Sequence, residues 1–171
     1  MAHNCIVVNL DRCTGCYSCE ITCKMENDIA LGEHWNKMLQ RGPFGDYPNM
    51  TRYPLPTMCQ QCADAPCVHV CPTGASGCKY CMMACPYGVR DWNKASKTVE
   101  KCTLCGHLTA NGELPACVKS CSAGARFYGD LDDPNSDVSK ELAKYDAADI
   151  HELPNVGNNP CTKYIMTSMH G

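Results

Sequence analysis

The stretch Cys13-Thr14-Gly15-Cys16-Tyr17-Ser18-Cys19-Glu20-Ile21-Thr22-Cys23 spaces four cysteines as C-x2-C-x2-C-x3-C. Three thiols within seven residues can all point inward from one tight loop and cover one face of an iron–sulfur cube. The x3 step carries the fourth thiol on to the next helical turn, where it reaches a second cluster instead. The reading that follows is a multi-cluster electron carrier.

Cysteine groups recur down the chain. A second group is Cys59, Cys62, Cys67 and Cys71, spaced x2, x4, x3; a third is Cys78, Cys81 and Cys85, spaced x2, x3. A fourth is Cys102, Cys105, Cys117 and Cys121, spaced x2, x11, x3, which leaves Cys5 and Cys161 outside any group. The repetition reaches beyond cysteine. Asp11-Arg12-Cys13-Thr14-Gly15-Cys16 resembles Glu100-Lys101-Cys102-Thr103-Leu104-Cys105, and each follows a short β-prone run, Ile6–Leu10 and Lys97–Val99. Cys71-Pro72-Thr73-Gly74-Ala75, Cys85-Pro86-Tyr87-Gly88-Val89 and Cys121-Ser122-Ala123-Gly124-Ala125 echo one another. Such echoes mean one supersecondary unit used several times: short strand, cysteine loop, short helix. Pro72 and Pro86 stop the helical turn that carries the preceding cysteine.

Composition agrees. Leu, Ile, Val and Phe make up roughly 15% of the chain, below the share usual for a globular core, and charge is too low for disorder. Something other than aliphatic packing must hold the fold, and 17 cysteines in 171 residues are the candidate. Disulfides fit poorly, because the count is odd and bridges across two residues are strained. Pairs at x2 spacing point to metal. A net charge of −3 without a basic block leaves nucleic acid unsupported. No run of 18 apolar residues is present, and Met1 to Asn9 lacks a signal peptide and a twin-arginine pair.

Elsewhere the signals are weaker. Asn27 to Met58, with Pro43, Pro48, Pro54 and Pro56, reads as mostly irregular loop. Ser136 is placed to N-cap a helix over Asp137–Ala147, and Thr162–Met166 reads as a short edge strand after Pro160. Glycines beside the cysteines (Gly15, Gly77, Gly106) suit both turn geometry and close approach of amides to sulfur. Cys5 reads as core filler, His34, His69 and His107 as structural or surface residues, and Trp35 and Trp92 as packing against loops or a partner. Met58, Met82 and Met83 read as lining of cluster cavities, and Asp130, Asp132 and Asp133 as a solvated turn.

The spacing does not say which groups pair, although the shared acidic-basic-Cys-Thr echo suggests one with four and two with three. At this point the chain resembles the four-cluster ferredoxin-like electron-transfer (beta) subunits of molybdopterin oxidoreductases, the dimethyl-sulfoxide reductase group. The resemblance spans residues 4–130 and is most specific at Cys13–Cys23, Cys59–Ala75, Gly77–Arg90 and Lys101–Cys105; Asn159-Pro160 with Tyr164-Ile165-Met166 carries it more weakly. It implies cluster one on Cys13, Cys16, Cys19 and Cys121, and cluster two on Cys23, Cys102, Cys105 and Cys117. It implies cluster three on Cys59, Cys62, Cys67 and Cys85, and a fourth site on Cys71, Cys78 and Cys81. The implied fold is α+β: two tandem bacterial-ferredoxin-like modules of two [4Fe–4S] clusters each, within residues 1–130, with much loop. A C-terminal docking tail, helix plus edge strand, occupies 131–171.

The fourth site is a cysteine short. The family pattern asks for a cysteine three residues before Cys78, where this chain has Ala75, and for roughly twenty more residues between the Cys71-Pro72-Thr73-Gly74-Ala75 segment and Cys78. Either a segment is missing between Ser76 and Gly77 and the site is [4Fe–4S], or the three thiols hold [3Fe–4S], or the site is defective. The expected function is a relay of electrons, without catalysis by the chain itself, between a molybdopterin catalytic subunit and a membrane-anchor, quinone-reactive or cytochrome partner. The alternatives are a free-standing polyferredoxin and, from another class, a zinc-stabilised interaction module. Location follows the partners: membrane-associated through them, cytoplasmic or exported with a signal-bearing subunit.

Overall fold

A computed structural model describes residues 3–72 and 77–167. Along the chain run β1 (Asn4–Asn9), α1 (Ser18–Glu26), β2 (Asn36–Phe44), β3 (Thr51–Met58), α2 (Pro66–His69) and α3 (Tyr80–Ala84). They are followed by β4 (Asp91–Asn93), β5 (Thr98–Glu100), α4 (Gly106–Thr109), α5 (Ala116–Lys119), β6 (Arg126–Asp130), α6 (Asp137–Leu142), β7 (Ile150–His151) and β8 (Lys163–Ile165). Short strands and short helices with long connections make a mixed α and β architecture.

The organising strand is β1. Its run Cys5-Ile6-Val7-Val8 is buried throughout, because side chains alternate between two covered faces of the sheet. Ile6 and Val8 face a core that holds Cys19, Cys102, Cys117, Met38, Leu55, Met58 and Tyr164. Cys5 and Val7 face the other way, against Val138, Cys161 and Ile165 under α6. Cysteine therefore replaces aliphatic side chains in the larger core, as the low aliphatic content requires. Cys5 is core filler, as its apolar strand predicts, and Cys161 joins it.

The four-stranded sheet has the order β6-β1-β8-β7. β6 is antiparallel to β1 (Val7 opposite Phe127) and β8 parallel to it (Val8 opposite Tyr164). The C-terminal strand expected at an edge is thus an interior one, paired on its far side with β7 (Ile150 opposite Ile165). Pro160 lies ahead of the paired residues and costs the ladder nothing, while Tyr164 and Ile165 are buried and stabilise an inside position.

The segment expected to be irregular between the first two cysteine groups is instead a long hairpin of β2 and β3, with Met38 opposite Pro56 and Gln40 opposite Pro54. The prolines misled because two of them, spaced by two, can share the open side of a two-stranded ribbon where no ladder donor is needed. The Pro56 carbonyl, on that open side, accepts from Tyr164 Oη at 3.1 Å. The predicted helix after Ser136 forms with Ser136 Oγ accepting from Ser139 N at 3.2 Å, but it ends at Leu142. The chain turns there so that Tyr145 Oη meets Asn9 Nδ2 at 2.8 Å.

Candidate metal centres

Three C-x2-C pairs, Cys13–Cys16, Cys59–Cys62 and Cys102–Cys105, are built on a residue in the left-handed region just before the second cysteine: Gly15 (φ 68°), Gln61 (φ 47°) and Leu104 (φ 57°). The turn folds backbone N–H groups toward sulfur, as from Leu104 to Cys102 Sγ at 3.4 Å. Gly15 also sits under the hairpin, where a Cβ would lie 3.2 Å from Pro54 Cβ. A second recurring turn follows Cys16 and Cys78: Tyr17 (φ 64°) and Lys79 (φ 65°) are left-handed and start α1 and α3. A third follows Cys85 and Cys121, where Gly88 (φ 60°) and Gly124 (φ 57°) donate back to the cysteine carbonyls at 3.3 and 3.0 Å. These two sequence echoes are therefore backbone repeats, and glycine at 88 and 124 takes the positive φ without the cost of a Cβ.

These turns gather thiols around three cavities. One is walled by Cys13, Cys16, Cys19 and Cys121, one by Cys23, Cys102, Cys105 and Cys117, and one, of about 200 Å³, by Cys59, Cys62, Cys67 and Cys85. The first two are narrower, about 20 and 10 Å³. In each, sulfurs from two cysteine groups meet: one with four, four with one, and two with three. Helices α1 and α5 pack together to bring Cys23 and Cys117 to the same wall.

Burial is the dominant force on several of these thiols. It pushes Cys102 up to about 12, and raises Cys23 further with help from Cys102, Cys117 and Cys105. Cys13, Cys62 and Cys117 are raised for the same first reason, while exposed Cys16 is lowered by the Ser18 amide. Buried thiols become thiolates only beside concentrated positive charge, which a metal centre provides. Among the described residues no three His, Cys, Asp or Glu side chains converge as a single ion requires. A zinc tetrathiolate would draw its sulfurs to a point through bonds of about 2.3 Å; sulfurs spread around a cavity suit a cage of several irons.

The fourth set is less enclosed. Cys81 is buried at the start of α3, Cys71 half-buried after α2, and Cys78 exposed, with α2 packed on α3. The junction at Ser76 and Gly77, with Ala75 in the place of a cysteine, lies at the edge of residues outside those described. Met58 lines the second cavity as expected, but Met83 does not line one: it is 82% exposed, because α3 turns only one side toward the interior.

Residues 73–131 match a family profile described as a 4Fe–4S dicluster domain. Relatives match across nearly the whole chain. A putative dimethyl sulfoxide reductase iron–sulfur subunit of Halobacterium salinarum is 39% identical, with 96% of this chain and 79% of the relative covered. The iron–sulfur subunit of an arsenate respiratory reductase of a Shewanella species is 32% identical, covering 94% of both chains. A tetrathionate reductase subunit of Salmonella typhimurium is 35% identical, covering 94% of this chain and 71% of its own. The chain belongs to the ferredoxin-like iron–sulfur subunits of the molybdopterin oxidoreductases. It is a non-catalytic electron-transfer subunit, and its cysteines serve iron–sulfur chemistry.

The alignments run over 180 to 224 positions, more than the 171 residues present here, so these members of the family have internal residues without a counterpart in this chain. Beyond the thiols, the structure adds four polar residues that were not read from the sequence. Arg126 lies between the first and second cavities and lines both. Burial works against its charge, but Cys117 and Cys19 more than offset that and raise it above the usual arginine range. Arg90 lines the third cavity and donates from Nη2 to Cys67 Sγ at 3.1 Å. Asn158 Nδ2 donates to Cys62 Sγ at 3.0 Å, and Asn27 Nδ2 lies 3.8 Å from both Cys23 and Cys105 Sγ. The arginines had a signal: the glycine echo continues for two residues, as Gly88-Val89-Arg90 and Gly124-Ala125-Arg126. Asn158 had none, since it reaches its cysteine from 96 residues away; Asn27 stands only four residues after Cys23.

Proposed function

We propose that this subunit carries a row of four clusters in two ferredoxin-like modules within residues 1–130, and passes electrons along it between a molybdopterin catalytic subunit and a membrane-anchor or cytochrome partner. The ligand sets are Cys13, Cys16, Cys19 and Cys121; Cys23, Cys102, Cys105 and Cys117; Cys59, Cys62, Cys67 and Cys85. The observation that carries the reading is the crossed composition of the three cavities, each walled by four thiols drawn from two groups. When bound, the clusters supply one-electron redox chemistry at potentials set by their surroundings. The protein's part is to hold the thiols, to donate amide and guanidinium hydrogens to sulfur, and to exclude water.

For the fourth site, Cys71, Cys78 and Cys81 in the 171-residue chain make a three-thiol set suited to [3Fe–4S]. The internal residues that relatives have and this chain lacks favour a [4Fe–4S] site in a form that carries a further segment between Ser76 and Gly77. The C-terminal segment completes the sheet with β7 and β8 and reaches Cys62 of the third site through Asn158, which supports a module built for a fixed complex over a free carrier. No helix among the described residues is long and apolar enough to cross a membrane. The proposed partner subunits would supply membrane association, on either side.

The test is cross-ligation. Cys23→Ser in the anaerobically isolated complex should remove or convert the cluster of the Cys102, Cys105 and Cys117 set and spare that of Cys13, Cys16 and Cys19. Iron and acid-labile sulfide should stand at about 15 and 16 per chain for three cubanes and a three-iron site. Colourless material without sulfide would refute the reading.

A further inference from the structure

Arg126 and Arg90 occupy one place in the repeat, each two residues after the turn glycine that follows its cysteine, at Gly124 and Gly88. Both are buried, at 5% and 9% exposure. Arg126 borders the cavities of both the first and second thiol sets, lining one beside Cys19 and the other beside Cys117. Arg90 borders the third cavity and donates to Cys67 Sγ on α2, the helix that packs against α3 with Cys81 of the fourth set. Each cation thus stands between the two sites of one pair.

The other contacts of Arg126 are neutral. Arg126 Nη2 donates to Asn36 Oδ1 and to Met58 Sδ, both at 3.2 Å, and its buried Nη1 has no hydrogen-bond partner among the described residues. The charges that act most strongly on both guanidinium groups are cysteine sulfurs. An arginine stays charged at any working pH, and a buried cation without an anionic partner is costly. Thiolate-ligated clusters on both sides would supply the missing anions.

We propose that Arg126 and Arg90 are shared charge bridges, each raising the reduction potentials of the two clusters between which it lies. Reduction adds negative charge beside a fixed cation, and the attraction is scarcely screened at a buried position. The electron arrives from one neighbouring site and leaves to the next, so the arginine neither donates nor accepts it. The repeat places one such cation in each pair, which would keep neighbouring sites within reach of each other in potential.

This inference rests on the ligand sets proposed above. Its test uses the chain expressed with its partner subunits, with iron content and potentiometric EPR titration as readouts. Arg126→Gln should lower the potentials of two clusters by at least a tenfold change in each reduction equilibrium, 59 mV for a one-electron couple, and leave the other two in place. Arg90→Gln should move the complementary two, and Arg126→Lys should stay near wild type. A loaded Arg126→Gln chain with unmoved potentials, or with all clusters shifted alike, would overturn the proposal, as would a lysine variant shifted as far as the glutamine one. If the glutamine variant fails to load, recovery of iron in the lysine variant supports the charge role, and equal emptiness of both refutes it. A wild-type chain without clusters would instead defeat the ligand assignment.

Discussion

Asn158 offers a local handle on one site. Its side chain is 2% exposed and donates to Cys62 Sγ at 3.0 Å and to Tyr87 Oη at 2.8 Å. Burial raises the Cys62 thiol, and the Asn158 hydrogen bond works against that rise, so the amide stabilises negative charge on this sulfur. A hydrogen bond to a charged group contributes about 1.5–3 kcal/mol. Only the part that grows when the site gains an electron moves a potential; taking that as about 1 kcal/mol gives roughly 40 mV for a one-electron couple. Asn158→Ala should therefore lower one cluster's potential by about that amount, and Asn158→Asp, which sets a carboxylate against the sulfur, should lower it further. Potentiometric EPR titration of the iron-replete complex reads both. Full iron with unchanged potentials in Asn158→Ala, or an equal shift in every cluster, would refute the assignment of this amide to one site.

Two further outcomes concern stability. Glu141 is 1% exposed and holds Lys144 Nζ at 2.6 Å, Arg12 Nη2 at 3.5 Å and Asn9 Nδ2 at 3.4 Å. Burial opposes its charge, but Lys144, Asn9 and Arg12 outweigh it and hold the carboxyl below its usual range. Its contribution is present above the ordinary carboxylate range and lost as pH falls through the depressed value; Glu141→Gln should flatten that acid limb in denaturant melts and cost about 1–3 kcal/mol at neutral pH. Cys5 is pushed from 9.0 to about 12, first by burial and then by Cys161. Its contribution is complete below pH 9 and drains away as pH climbs toward 12. Cys5 should resist iodoacetamide at pH 8–9 in the folded chain, and Cys5→Ala should remove part of the alkaline loss.

The cysteine loops were legible because ligand spacing and backbone turn are one local fact: C-x2-C with a left-handed third residue needs nothing from elsewhere in the chain. Strand β1 was legible for the same reason, as a short apolar run before such a loop. The hairpin of β2 and β3 was hidden because proline content is a local signal, whereas tolerance of proline depends on which side of the ribbon is unpaired. The interior position of β8 was hidden because parallel pairing to β1 joins residues over 150 positions apart, such as Val8 and Tyr164. Asn158 acts from outside the cysteine motifs, so no spacing rule reaches it.

The two C-x2-C-x3-C runs Cys16–Cys23 and Cys78–Cys85 share the left-handed start of their helices, Tyr17 and Lys79, and the same order of exposure, open at Cys16 and Cys78 and buried at Cys19 and Cys81. In the first run Cys13 completes the loop; in the second that place is Ala75, whose methyl cannot ligate iron. Spacing alone therefore predicts that Ala75→Cys restores C-x2-C-x2-C-x3-C. In the 171-residue chain the substitution should raise iron from about 15 to about 16 per chain and abolish a three-iron EPR signal. If iron and signal stay as in the unsubstituted chain, the second run does not repeat the first in function. The fourth thiol would then have to come from further away than three residues, as a longer loop in the relatives would allow.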